Sequence, residues 1–230
     1  LFRVRNFWAG ALATAVGYGI FFGTVVILPL WLQEFMGYTA TLAGMTLAPV
    51  GLLAMALSPV VGLTVNRVDP RVYASLAFVV FALVMWMRSR FTVEADFVTI
   101  MIPTIVQGVA VAFFFVPLVT ITLSGLPPSR IAAAAGLSNF TRITAGAVGT
   151  SIATTLWESR STLHHAQLAE SINVGNSTAM HTLQMLEAAG LSHAQALALV
   201  NRLLTQQAFM LSTQELFYGS ALLFLALTGV

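Results

Sequence analysis

Long apolar runs separated by short polar links dominate the pattern of this chain. Most runs have at least the roughly 20 residues that an α-helix needs to cross the hydrocarbon core of a bilayer. The third run is shorter, and the last run is cut off by the end of the sequence. The pattern therefore predicts six membrane-spanning helices, over residues 7–32, 42–65, 72–87, 97–123, 131–157 and from about 215 to 230.

A polar stretch separates the last two predicted spans. Gly190 can end a helix that starts near Thr178, because glycine readily adopts the left-handed conformation found after helix ends. Ser192 and Gln195 have the spacing of a capping box, which predicts the start of another helix. We therefore expect two or three helices that form a hairpin above the membrane, the last of which can continue into the final span. This divides the chain into residues 1–157 with the first five spans, 158–208 as the helical loop and 209–230 as the truncated last span.

The composition agrees with a membrane protein and excludes several other classes. Hydrophobic residues make up 58% of the 230 residues and charged residues 8%, whereas soluble domains carry about 25% charged residues. The net charge of +2 is too small and too dispersed to suggest nucleic-acid binding. The sequence has no cysteine, so it offers neither disulfides nor a thiolate metal site. It starts at Leu1 and ends in an apolar run, and we expect it to be part of a longer protein.

The distribution of arginine predicts the orientation in the membrane. Six spans place both ends of the chain on one side, and positive residues in short links favour the cytoplasmic side. More arginines lie on the side that carries the first residue and the turn near Arg130. That side is therefore predicted to be cytoplasmic, and the polar stretch is predicted to lie outside. The five arginines on that side are Arg3, Arg5, Arg67, Arg71 and Arg130, against Arg88, Arg90 and Arg160 on the other.

The fifth predicted span contains one charged residue, Arg142. A charge inside the bilayer is costly, so such a residue usually faces a bundle interior or a water-filled cavity. Arg142 either lines a transport pathway or is a structural arginine, paired to carbonyls or to an acid of another helix. At helical spacing it shares a small or polar face with Ala135, Asn139, Gly146, Gly149 and Ala153, while Leu137, Phe140, Ile143, Val148 and Ile152 lie on the other side.

Other polar and aromatic positions are weaker candidates for the pathway. Gln107 lies in the middle of the fourth span and is followed by a run of phenylalanines that includes Phe114. Phenylalanines in spans are more often lipid-facing or core residues than substrate-stacking ones. Gln33 and Glu34 follow the first span, where Glu34 is either an interfacial helix end or a buried proton site.

Residues typical of enzymes are missing from the predicted spans. All four histidines lie in the polar stretch, and the pair His164–His165 suits a solvated helix face better than a metal site. Intramembrane enzymes usually show paired histidines or aspartates within spans, and this sequence has none. We therefore expect no enzymatic activity, no metal and no cofactor.

Several motifs resemble one transporter family over essentially the whole chain. The chain is similar to the C-terminal half of EmrB-type multidrug exporters, the fourteen-helix drug/proton antiporter branch of the major facilitator superfamily. Residues 62–71 also resemble a degenerate second copy of the superfamily's cytoplasmic gating loop, Gly-x-x-x-Asp-Arg-x-Gly, with candidate residues Gly62, Asn66, Arg67, Asp69 and Arg71. The most specific motifs are GYTATLAG at 37–44, TITLSGLPPS at 120–129, LSNFTR at 137–142 and HHAQLAE at 164–170.

The resemblance implies an all-α membrane fold, with a six-helix bundle and a periplasmic helical insertion. It implies efflux of hydrophobic drugs driven by inward proton flow across the bacterial inner (plasma) membrane. The expected partners are a periplasmic adaptor (membrane fusion) protein and an outer-membrane channel. By analogy, spans one, two, four and five line the cavity, and the proton-linked acid belongs to a first bundle outside this chain. The alternative is a non-transporting scaffold or receptor whose outer loop binds a partner. Such a scaffold has no need for polar residues at mid-membrane.

Overall fold

A computed structural model describes residues 5–65, 67–173 and 175–229, and these residues form helices joined by short loops. No strand occurs among them, which confirms the predicted all-α fold. The predicted bounds of the fourth span agree with the structure to the residue. The helices are α1 (Arg5–Glu34), α2 (Ala40–Thr64), α3 (Pro70–Arg88), α4 (Phe97–Leu123), α5 (Pro128–Glu170), α6 (Ser177–Ala188) and α7 (His193–Leu227).

Local sequence signals account for the helix starts. Thr39 and Asp96 accept hydrogen bonds from backbone N–H groups three residues later, at the starts of α2 and α4. The capping box of Ser192 and Gln195 is present at the start of α7, as predicted. Gly190 has a φ of +98° after the end of α6, which confirms its predicted role in ending that helix.

Five of the described helices are long and apolar enough to cross a membrane. They are α1 from Phe7, α2, α3, α4 and α7. Helix α5 is less apolar because it carries Arg142 and many Gly, Ser and Thr residues. It nevertheless packs along both α1 and α7 and belongs to the same bundle.

Two helices extend well beyond their predicted spans. The fifth span was predicted to end at Trp157, but α5 continues to Glu170 because no glycine or proline interrupts it there. The helix that the capping box starts continues into the last span, as expected, so α7 already begins at His193, well before Glu215. Residues 158–170 of α5, α6 and residues 193–207 of α7 are called the outer extension below.

An aromatic cluster holds α3, α4 and α7 together. The rings of Phe81 and Phe224 stack with centroids 4.9 Å apart. Phe114 packs edge-on against Phe78 and Phe81, at 5.9 and 5.5 Å. All four side chains are buried, so these three helices form one well-packed side of the bundle.

Helices α1 and α5 approach each other through glycines. A Cβ atom at Gly149 would meet the backbone of Gly19, and one at Gly23 would lie 2.9 Å from both Ala153 Cβ and Gly149 O. The small face predicted for α5 therefore packs against α1, since small residues let helix backbones approach closely.

Polar contacts hold α5 to α7 where they leave the bundle and tie the outer extension to the end of α1. Trp157 Nε1 donates to Thr213 Oγ1 at 2.8 Å, and Gln206 Nε2 donates to the carbonyl of Phe35 at 2.7 Å. His165 lies 3.0 Å from Asn201 across the pair of helices. The two long helices thus stay together beyond the apolar part of the bundle.

Candidate functional site

Arg142 lies half-buried on the face of α5 that looks toward α1 and α4. Its Nη2 donates to Asn139 Oδ1 at 2.6 Å, one turn earlier in the same helix. The guanidinium also lies 5.0 Å from the ring centre of Tyr18 and 5.8 Å from that of Phe115. Such cation–π contacts attract a positive charge to the ring faces. Among the described residues, no ion pair includes Arg142.

A small cavity adjoins this arginine. It has a volume of about 100 Å³ and lies between α1, α4 and α5. The hydroxyls of Thr14 and Thr122 donate to carbonyls of their own helices, at 2.6 and 2.7 Å. Arg142 and Asn139 are therefore the strongest polar groups that line it. The cavity is called the Arg142 cavity below, and its other lining residues are Val119, Leu123, Ala135 and Ser138.

Packing between the helices explains how the aromatic rings reach Arg142. A Cβ atom at Gly146 would lie 3.0 Å from the ring of Tyr18, so only the missing side chain lets that ring rest on α5. Tyr18 stacks on Phe22 with centroids 4.4 Å apart and meets Phe115 edge-on at 6.0 Å. Sequence reasoning missed Tyr18 as a partner of Arg142. Its only sequence signal was a tyrosine in the middle of a glycine-rich span.

Gln107 lies in a different environment from Arg142. It is buried, and its Oε1 accepts a hydrogen bond of 2.7 Å from Arg88 Nη2. The same Nη2 also donates to Thr104 Oγ1 at 3.2 Å. Arg88 Nε and Nη1 and Gln107 Nε2 have no hydrogen-bond partner among the described residues. This polar cluster links the end of α3 to α4.

Arg88 is a residue whose place the sequence did not reveal. It was assigned to the polar link after the third span, but it is the last residue of α3 and its side chain is fully buried. Its guanidinium also lies 5.9 Å from the ring centre of Phe217 in α7. The sequence signal that could have indicated this contact was Gln107, because a buried polar side chain in the middle of a span needs a hydrogen-bond partner.

The other pathway candidates lie at scattered positions. Phe114 is fully buried in the aromatic cluster, while its neighbour Phe115 faces Arg142. Gln33 and Glu34 end α1 and are exposed, and Gln33 Nε2 donates to the carbonyl of Pro29 at 3.1 Å. The structure therefore brings only Asn139 among the sequence candidates into contact with Arg142.

The candidate gating loop connects α2 to α3. Gly62, Arg67 and Arg71 are exposed, and Asp69 caps α3 by accepting a hydrogen bond of 2.9 Å from the backbone N–H of Arg71. Asn66 lies outside the described residues. The link is short and polar, as expected for a turn between two spans.

Two histidines of the outer extension each lie beside a carboxylate. His164 Nε2 lies 3.1 Å from Glu215 Oε1, and His193 Nδ1 lies 2.6 Å from Glu187 Oε1. Within the described ranges, no group of three or more His, Asp or Glu residues is placed to hold a metal ion.

Comparisons with known proteins identify the family of this chain. Residues 1–150 match the family described as the Major Facilitator Superfamily. The whole chain is 45% identical to "Multidrug export protein EmrB" of Escherichia coli K12 over 231 residues, and 42% identical to "Fatty acid resistance protein FarB" of Neisseria gonorrhoeae over 230 residues. It is also 42% identical over 228 residues, 99% of its length, to "Multidrug export protein EmrB" of Haemophilus influenzae. In each case the chain spans 45% of the length of the relative.

Proposed function

Because this chain belongs to the Major Facilitator Superfamily, we propose that it forms the C-terminal half of an exporter that moves hydrophobic drugs out of the cell. It is a multi-pass protein of the inner (plasma) membrane. The observation that carries the proposal is the 45% identity to a multidrug export protein along the full chain. The position of Arg142 on an open helix face supports it, because a scaffold has no need for a charge there.

The drug pathway runs past the Arg142 cavity. A drug site is mostly apolar with a few polar groups that fix orientation, and Arg142 and Asn139 supply these groups beside Tyr18 and Phe115. Gln107 and Phe114 act on the pathway indirectly, because both are buried and shape α4. Gln33 and Glu34 lie at its outer mouth.

Inward proton flow drives the efflux. Arg142 has no acidic partner among the described residues, so its partner would be the proton-linked acid that the family resemblance places in the other bundle. A nearby positive charge lowers the pKa of a carboxyl group. Arg142 would thereby favour release of the proton whenever the two bundles bring the acid close. The loop with Gly62, Asn66, Arg67, Asp69 and Arg71 would contact the other bundle on the cytoplasmic side.

The test is proton-driven drug transport by the full-length protein in proteoliposomes. Arg142→Ala should abolish transport, and Arg142→Lys should restore only part of it, since lysine lacks the planar fork of donors. Arg202→Ala is the matched control, because Arg202 is exposed in the outer extension. Wild-type transport by Arg142→Ala would refute the assigned role. A full-length protein that binds partners but transports nothing would favour the scaffold alternative.

The outer extension docks a periplasmic adaptor protein, which passes the drug to an outer-membrane channel. Its helices expose Leu163, Met185, Leu197 and Leu203, each more than 40% accessible. An amphipathic adaptor helix can lie along such an apolar helix surface. The docking proposal is supported by the exposure of these four side chains on helices that are anchored to the bundle.

Point substitutions separate docking from transport. Met185→Glu with Leu203→Glu should weaken adaptor pull-down and resistance of intact cells, while transport in proteoliposomes persists. Arg202→Glu changes charge on the same surface without removing an apolar contact and serves as the control. Undiminished adaptor binding by the double variant would place the docking site elsewhere.

A further inference from the structure

A second, larger cavity lies between α1, α5 and α7. It has a volume of about 680 Å³ and is called the lateral groove below. Gly19, Gly23 and Gly149 line it where α1 meets α5, so no side chain blocks its floor. Large apolar side chains that are more than half exposed form its rims: Val148, Ile152, Leu156 and Leu223.

The polar side chains along the groove are already used within the protein. Thr24 Oγ1 donates to the carbonyl of Phe21 at 2.9 Å, and Ser220 Oγ to that of Leu216 at 2.8 Å. Ser212 Oγ donates to the carbonyl of Trp157 at 2.6 Å. Their protons are therefore not available to a ligand, and the body of the groove suits an apolar chain rather than a polar molecule.

Charges of both signs stand at one end of the groove. Arg160 donates to both carboxylate oxygens of Glu215, at 2.7 and 3.0 Å. His164 Nε2 also lies 3.1 Å from Glu215 Oε1. The side chains of Arg160 and Glu215 nevertheless remain 47% and 41% exposed, so each can contact a further group. A molecule with a phosphate and an ammonium group side by side would match this pair, with the phosphate at Arg160 and the ammonium at Glu215.

The lateral groove is distinct from the Arg142 cavity. The Arg142 cavity lies between α1, α4 and α5, whereas the groove lies between α1, α5 and α7. Along α5 the groove extends from Ala145 to Arg160, which is about 22 Å at a rise of 1.5 Å per residue. This exceeds the roughly 15 Å depth of one leaflet of the hydrocarbon core. One acyl chain therefore fits along it with its head at the charged end.

We propose that the lateral groove binds a phospholipid with an ethanolamine headgroup, from the leaflet at the Arg160 end. One acyl chain lies on the glycine floor, the phosphate contacts Arg160 and the primary ammonium donates to Glu215. A choline headgroup fits less well, because its trimethylated nitrogen has no N–H to donate. The site does not depend on which compound the protein transports.

The test is native mass spectrometry of the full-length protein, purified with equal amounts of ethanolamine and choline phospholipids. Wild-type protein should retain the ethanolamine lipid preferentially. Gly219→Leu fills the groove from α7, at a position where an added Cβ meets no atom within 4 Å. Gly44→Leu adds the same side chain to equally open space on α2, outside the groove, and is the matched control.

Retention of the ethanolamine lipid should fall about tenfold in Gly219→Leu, because the leucine side chain occupies the space of the acyl chain, and stay unchanged in Gly44→Leu; tenfold corresponds to about 1.4 kcal/mol of binding free energy. Glu215→Gln should remove the preference for ethanolamine over choline while some lipid is still retained. The proposal is overturned if wild-type protein shows no headgroup preference, or if Gly219→Leu retains as much lipid as Gly44→Leu. Retention of a free long-chain fatty acid in place of the phospholipid would also overturn it.

Discussion

The contact between Gly149 and Gly19 makes a sharp test of how α1 and α5 are held together. A Cβ atom at Gly149 would lie 2.5 Å from the carbonyl carbon and 2.6 Å from the Cα of Gly19, and closer still to its carbonyl oxygen. Real side-chain atoms need about 3.5–4.0 Å from other carbon atoms. Gly149→Ala therefore forces the two backbones apart by about 1 Å, because no flexible side chain can give way.

The magnitude follows from two opposing effects. Alanine is favoured over glycine inside a helix by roughly 0.5–1 kcal/mol. Overpacking that shifts a backbone costs typically about 1–3 kcal/mol. At Gly149 the overpacking should win, so the free energy of unfolding should fall by about 1–2 kcal/mol. At Gly136, in the same helix, an added Cβ meets nothing within 4 Å, so Gly136→Ala should be neutral or stabilising.

The assay is thermal unfolding of the purified full-length protein, with drug transport in proteoliposomes as a second readout. Gly149→Ala should lower Tm, whereas Gly136→Ala should leave it unchanged or raise it. Transport should also fall in Gly149→Ala, because separating α1 from α5 moves Tyr18 away from Arg142. Equal Tm values for the two variants would show that the helices do not touch through these glycines.

Three further predictions concern other parts of the chain. Arg88→Ala should lower the free energy of unfolding by about 1–3 kcal/mol, since it leaves Gln107 buried without a partner. The control is Arg90→Ala, which removes an arginine that lies beside Trp86. Equal Tm values for the two variants would contradict the prediction. Hydrogen bonds from Thr99 hold the pKa of the Asp96 carboxyl below its ordinary value. The ionised carboxylate therefore stabilises the fold fully at pH values above the pKa that Asp96 has in the unfolded chain. This stabilisation is lost as the pH falls through the lower pKa of the folded state. Asp96→Asn should remove this acid-dependent part of the Tm, and an unchanged pH profile would refute it. A cysteine at Ser129 should be labelled only from the cytoplasm and one at Ser177 only from outside, and the reverse pattern would overturn the orientation.

Local sequence signals were enough to predict most of the helices and the small face of α5. Apolar runs identify α1 to α4, although the third run is shorter than a full span, and the capping box and Gly190 mark the start of α7 and the end of α6. These are local signals, because capping and helical periodicity depend on residues within a few positions of one another. The same periodicity placed Arg142 and Gly149 on one face, and that face meets α1. The family motifs also lie in the sequence alone.

Which polar and aromatic side chains meet depends on how the helices pack against one another. Spacing along α4 does not tell whether Gln107 faces a pathway or Arg88 at the end of α3, because that depends on how the two helices rotate against each other. The same rotation buries Phe114 and turns Phe115 toward Arg142. Arg88 was assigned to a polar link because a charge at the end of an apolar run normally reaches water, yet packing against α4 and α7 encloses it. Partners across helices are set by packing, and one-dimensional periodicity carries no record of it.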